Sequence, residues 1–200
     1  MTPSLSDRAL YLVLSIFIIL GFYQFYFWSQ RRTALSTREL HTSLDDYIPF
    51  WPTWTWIYSG LYYPAILGLT FLLDSHRQFL TIAFSFIVLL VLQMAFFLTF
   101  PVCTPIKWRE LNAGRTLSER YLAIIQRFDS RHNSFPSMHT SVAMLVALHL
   151  YETFGIGGIS FLFPTLIGLS CLFTKQHYVV DILPGALIGC VAFAAFRQLA

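Results

Sequence analysis

Charge is what this sequence has least of. Only 12% of its 200 residues are Asp, Glu, Lys or Arg, thirteen of them basic and ten acidic. So few charges, gathered into a handful of stretches, cannot clothe a soluble domain of this length, which excludes a soluble globular fold. The basic residues crowd into loops instead of forming stripes along helices, which excludes a nucleic-acid binder. Cysteine is nearly absent. Cys103, Cys171 and Cys190 are an odd set without zinc-type spacing, so they read as free thiols packing like small hydrophobes. Internal repeats and low-complexity tracts are missing too, which leaves one domain over residues 1–200. No small-x-small cleavage pattern follows the first apolar run, so that run is expected to stay as a membrane helix.

What the chain has in quantity is apolar surface, 56% hydrophobic and 18% aromatic residues. A lipid-spanning helix needs about 20 mostly apolar residues. Six stretches approach that length: Leu10 to Trp28, Trp54 to Leu73, Phe79 to Phe100, Met138 to Phe154, Ile156 to Phe173 and Val179 to Phe196. The expected fold is therefore all-α, a polytopic membrane protein built as a six-transmembrane-helix bundle. Trp51, Trp54 and Trp56, with Pro49 and Pro52, mark a kinked entry at headgroup level. The third loop carries Leu122, Ile124, Ile125 and Phe128 at helical spacing, which predicts a short amphipathic helix over Ser118 to Phe128 on the membrane surface.

Six helices make the loops alternate sides. The loops after the first, third and fifth stretches then share one face, and ten of the thirteen Lys and Arg residues lie there. The same face holds two short motifs, Pro136-Ser137-Met138-His139 and His177-Tyr178-Val179-Val180-Asp181. Each stands where a polar loop hands over to an apolar helix. The basic count alone would put this face in the cytoplasm. Seven of the ten basic residues belong to the motif loops, however, and the rest are evenly matched by Arg8, Arg77 and Arg197, so charge leaves the orientation open.

His177 and Asp181 are one helical turn apart, so the carboxylate can fix the imidazole tautomer and leave the other ring nitrogen as a nucleophile. An ionisable residue inside a membrane helix is costly, and His177 is the natural partner for Asp181. Ser137 can cap the helix that begins at Met138 and leave N–H groups facing an anion, with His139 in reach as a general acid. Phosphoryl transfer also needs cations for the non-bridging oxygens, and the same face offers Lys107, Arg109, Arg115, Arg131 and Lys175. His41, His76, His132 and His149 have no such partners in sequence and read as structural or interfacial.

Pro-Ser-x-His followed about forty residues later by His-x-x-x-Asp resembles the type-2 phosphatidic acid phosphatase (PAP2) superfamily. Phe135 to His139, Phe173 to Tyr178 and Asp46 to Phe50 are similar to its subgroup related to inositol phosphorylceramide synthases. The resemblance implies His177 as the nucleophile that forms a phosphohistidine, Asp181 as its orienter and His139 as the acid for the departing alcohol. It implies Ser137 and the Met138 backbone as the phosphate cradle, with Lys107, Arg115 and Lys175 as phosphate-binding cations, no metal and no cofactor. The chain departs from the pattern at Ser170-Cys171, where the superfamily usually has Ser-Arg, and Lys175 is expected to supply the charge. Lys107 is followed by Gly114 and Arg115 without the usual proline.

The expected function is a metal-independent membrane lipid phosphatase acting on a lipid phosphate or pyrophosphate, of phosphatidate or polyprenyl-pyrophosphate type. The alternative is a lipid phosphotransferase that passes the phosphoryl headgroup to a second alcohol. Expected partners are a lipid phosphate substrate and membrane lipids. Localisation is integral membrane and multi-pass, and the resemblance leans towards an extracytoplasmic site. A transporter would need ionisable residues at mid-depth in several helices. Here they sit at helix ends, His149 apart.

Overall fold

The structure is a computed structural model that describes residues 3–35 and 38–199. Helices dominate it, and no strand is present among the described residues. In chain order the α-helices are α1 (Leu5–Arg32), α2 (Ser43–Tyr47), α3 (Tyr62–Gly68), α4 (His76–Thr99), α5 (Ile106–Glu110), α6 (Leu117–Phe128), α7 (Met138–Leu148), α8 (Leu162–Phe173) and α9 (Val179–Arg197). Three of them, α1, α4 and α9, are long and apolar enough to cross a membrane.

The other three apolar stretches are helical but broken. Residues 52–71 pass from a 3₁₀ turn at Pro52–Trp54 through a π-helical stretch at Trp56–Leu61 into α3 and a last 3₁₀ turn at Leu69–Phe71. Pro64 lies near the start of α3, and its missing N–H and bulky ring interrupt the regular ladder there. α7 continues into a π-helical turn at His149–Thr153. α8 is preceded by the 3₁₀ turn Gly158–Phe161, after Gly155 and Gly157 have taken positive φ values of 67° and 82° to reverse the chain.

Contacts at the two ends show the six stretches running alternately up and down. At the motif end Tyr26 of α1 reaches Asp129, Gln93 of α4 reaches the Pro136 carbonyl, and His177 reaches Ser134. At the opposite end Tyr11 meets His76, Arg77 meets the Leu199 carbonyl, and Arg197 meets Glu152. α7 lies at the centre, where Ala143, Leu145, Val146 and Ala147 are all fully buried. Its closest neighbour is α9. A Cβ on Gly185 would stand 2.5 Å from the Ser137 carbonyl oxygen, and one on Gly189 would stand 2.5 Å from that of Ser141. Apolar burial gains little between helices already in lipid, so backbone approach through small residues is what holds such a pair together. The contact matters because α7 begins with one motif and α9 with the other.

In the third loop, α6 opens with a capping box between Thr116 and Glu119. Its Leu122 is fully buried, and Ile124, Ile125 and Phe128 line an internal cavity.

Candidate active site

Two elements converge on His177. The turn after α8 brings it back over α7, and α9 then starts at Val179. Its Nδ1 lies 2.8 Å from the Ser134 carbonyl oxygen and 3.2 Å from Asp181 Oδ2. A carbonyl only accepts, so Nδ1 carries the proton and Nε2 keeps its lone pair. Asp181 is fully buried, and its Oδ2 also accepts the Tyr178 N–H at 2.9 Å, while its Oδ1 has no hydrogen-bond partner. A buried carboxylate in this position compensates positive charge appearing on the imidazole.

The Ser134 carbonyl is itself aimed by the chain before it. Asn133 has φ 61°, in the left-handed region that Asn tolerates better than most residues. Its side-chain amide donates to Ser29 Oγ at 2.7 Å, tying this turn to the end of α1.

His139 is in the first turn of α7, with its ring stacked on Tyr58 at 4.2 Å and tilted against Tyr62 at 4.7 Å. It meets the His177 ring edge-on, the centroids 6.1 Å apart. The two histidines thus face one space, His139 from the first turn of α7 and His177 from the turn before α9. Ser137 caps α7: its Oγ accepts the Thr140 N–H at 3.3 Å, and its carbonyl accepts the Ser141 N–H at 3.0 Å. The N–H groups of Met138 and His139, first in the helix, have no intrahelical acceptor by geometry and are the donors left for an anion.

The three cations assigned to phosphate are placed elsewhere. Lys107 and Arg115 are exposed on α5 and on the turn before α6. Lys175 is buried, with Nζ donating to the Asp45 carbonyl at 2.8 Å and lying 5.0 Å from the Trp108 ring centre. Burial pushes its pKa down, against Asp45 and Asp46, which push it up. None of the three lines the space between the histidines. Cys171 occupies the place of the usual arginine and is fully buried, with Sγ 3.9 Å from Ser137 Oγ. Its thiol and the ring nitrogens of His139 and His177 lie within 4.8 Å of one another, so these are the residues that could hold a soft metal ion.

Sequence reasoning passed over Asp45, one residue before the stretch it singled out. Asp45 is buried. Its Oδ1 accepts the first N–H of α9, from Val179 at 2.8 Å, while Oδ2 accepts Thr42 Oγ1–H at 2.8 Å. With Lys175 on its carbonyl, it clamps the turn that carries His177. Tyr58, Tyr62 and Asn133 were missed as well. The one available signal was their polar or aromatic character next to apolar runs, which does not tell a site from a membrane-interface residue.

Below the histidines runs a cavity of about 290 Å³. His139, His177, Asp129 and Asn133 line its polar end, and Ile66, Leu73, Phe79, Ala83 and Phe86 line its far end. Gln93 of α4 is level with Pro136, so Phe79 lies about 20 Å deeper at 1.5 Å per helical residue. The space is long and mostly hydrocarbon-lined, with two histidines at its polar end.

An uncharacterized protein of Methanocaldococcus jannaschii, MJ0662, is 34% identical over 58 residues, which is 29% of this chain and 24% of that protein. No solved structure matches. The family model described as PAP2 superfamily matches residues 30–195, a range that takes in both histidine motifs, Asp45 and the cavity lining outside α1. With its long apolar helices and this match, the chain is an integral membrane protein that belongs to the PAP2 superfamily, whose members are generally phosphatases.

Proposed function

We propose that the protein is a metal-independent lipid phosphatase that works through a phosphohistidine on His177. The observation that carries this reading is the cavity: a hydrocarbon-lined space about 20 Å deep whose polar end holds the two histidines. A lipid seated with its chain in the cavity presents its phosphate to Nε2 of His177. Nε2 attacks phosphorus, the P–O bond to the lipid alcohol breaks, and His139 gives a proton to the leaving oxygen. Asp181 offsets the charge on the phosphorylated imidazole. The N–H groups at the start of α7 take the non-bridging oxygens. In this reading all six helical stretches cross the bilayer, the short ones by ending at the interface, and α6 lies at the surface with its apolar side over the cavity. Within the superfamily, we place the chain nearest the inositol phosphorylceramide synthase-like subgroup on the motifs around His139, His177 and Asp46.

A panel of lipid phosphates and pyrophosphates in detergent tests the reading. Ala83 lines the deep half of the cavity, so Ala83→Phe is expected to weaken long-chain substrates and leave short-chain ones nearly unchanged. Release of phosphate from none of the lipids, or equal loss for all chain lengths, contradicts it.

A further inference from the structure

One carboxylate in the cavity has no part in the mechanism above. Asp129 follows α6 and is the sole Asp, Glu, Lys or Arg among the described residues lining the cavity. A carboxylate beside a phosphate site is repulsive unless it faces a donor or a cation. Its Oδ1 takes both nearby donors, Tyr26 O–H at 2.8 Å and Gln30 Nε2–H at 2.6 Å, and Oδ2 takes neither.

Asp129 also lines a second hollow, a surface basin of about 410 Å³ bordered by Arg109, Asn112, Gln126, Arg127 and Arg131. It therefore stands in the wall between an aqueous, arginine-rich basin and the space that holds His177. Burial raises its carboxyl above the ordinary range, while Arg109, the bonds from Tyr26 and Gln30, and His177 pull the other way. Such a group is a base that has not lost its basicity to a salt bridge.

We propose that Asp129 is the acceptor site of the reaction: Oδ2 holds the hydroxyl of water or of a second alcohol arriving from the basin, and takes its proton as that oxygen attacks the phosphorus on His177. The new O–P bond forms as the N–P bond breaks. The bonding pair returns to Nε2, leaving a neutral imidazole with its proton still on Nδ1; the acceptor's proton ends on Asp129, and the cycle resets when Asp129 releases it to solvent through the basin and His139 takes one proton back from solvent. The assignment rests on the phosphohistidine reading and adds to it the group that resolves the intermediate, so that His139 serves the first alcohol and Asp129 the second.

Rapid-quench labelling tests it, using short-chain phosphatidate with radioactive phosphate on the purified full chain. The wild type is expected to carry acid-labile label only transiently. Asp129→Asn is expected to accumulate label on most chains while turnover falls about 10²–10⁴-fold, and added hydroxylamine should discharge it. The wild-type resolution rate should drop as pH falls through the raised pKa of Asp129, because the protonated carboxyl cannot accept a proton. A double change of Tyr26→Phe with Gln30→Leu removes the ties to α1 and keeps the carboxylate, so it should lower the melting temperature without accumulating label. Free phosphate as the product identifies water as the acceptor, and phosphorylated glycerol or inositol, when either is supplied, identifies an alcohol. If melting curves show that Asp129→Asn does not fold, Asp129→Glu replaces it and must resolve label more slowly than the wild type. An Asp129 variant that turns over normally, or that loses label and turnover together while the wild type labels, overturns the assignment. A wild type that never carries label overturns the phosphohistidine reading itself.

Discussion

Asp181 and Asp45 are both buried carboxylates near His177, and they act on it differently. The Asp181 carboxylate touches the imidazole, whereas the Asp45 carboxylate takes the first N–H of α9 and its main-chain carbonyl takes the ammonium of Lys175. Replacing Asp181 by Asn leaves the Ser134 carbonyl to hold the Nδ1 proton and removes the negative charge that compensates the phosphorylated imidazole. Turnover of Asp181→Asn is expected to fall by about 10²–10⁴-fold with little change in KM. A fall confined to KM would contradict the role. Asp45→Ala removes a cap, which costs about 0.5–2 kcal/mol, so its melting temperature should drop and its turnover should fall through displacement of His177. Lys175→Gln should resemble Asp45→Ala in stability and leave KM for phosphate nearly unchanged. A large rise in KM would instead return Lys175 to the phosphate site.

At the scale of elements, the α7–α9 contact sets the distance between the two motifs. Gly185 and Gly189 face backbone oxygens of α7 too closely for any side chain. Gly189→Ala must separate the helices, an overpacking cost of about 1–3 kcal/mol, and turnover should decline along with the melting temperature. Unaltered turnover at lowered stability would show that the spacing of His139 and His177 is set elsewhere. The helices at this contact were legible in the sequence: the apolar stretches and the Pro-Ser start of α7 both follow from composition and spacing. The interruptions at 52–71 and at His149–Thr153 were not, because π-helical turns leave no periodic mark that a 3.6-residue pattern distinguishes. The reach of Asp45 to Val179 was hidden for another reason, since pairing across more than a hundred residues depends on how loops fold over one another.

For the whole molecule, the two histidines sit where an apolar cavity meets the polar loops. His139, His177 and Asp181 were picked out by motif, and the structure does bring them together. The cations were chosen by loop membership and by a partial resemblance to the superfamily's motifs, and the fold sends Lys107, Arg115 and Lys175 to other places. The arginine-rich basin behind Asp129 supplies positive charge from residues that no motif marks. Placing His139, Cys171 and His177 within 4.8 Å of one another also gives the central claim a direct rival, a metal held by the same side chains. Phosphate release from the lipid panel by the purified protein, with EDTA present throughout and His177→Ala beside the wild type, separates the two. The account predicts release that survives EDTA and is abolished in His177→Ala. Release that EDTA removes and a divalent cation restores, or that persists in the variant, would contradict it.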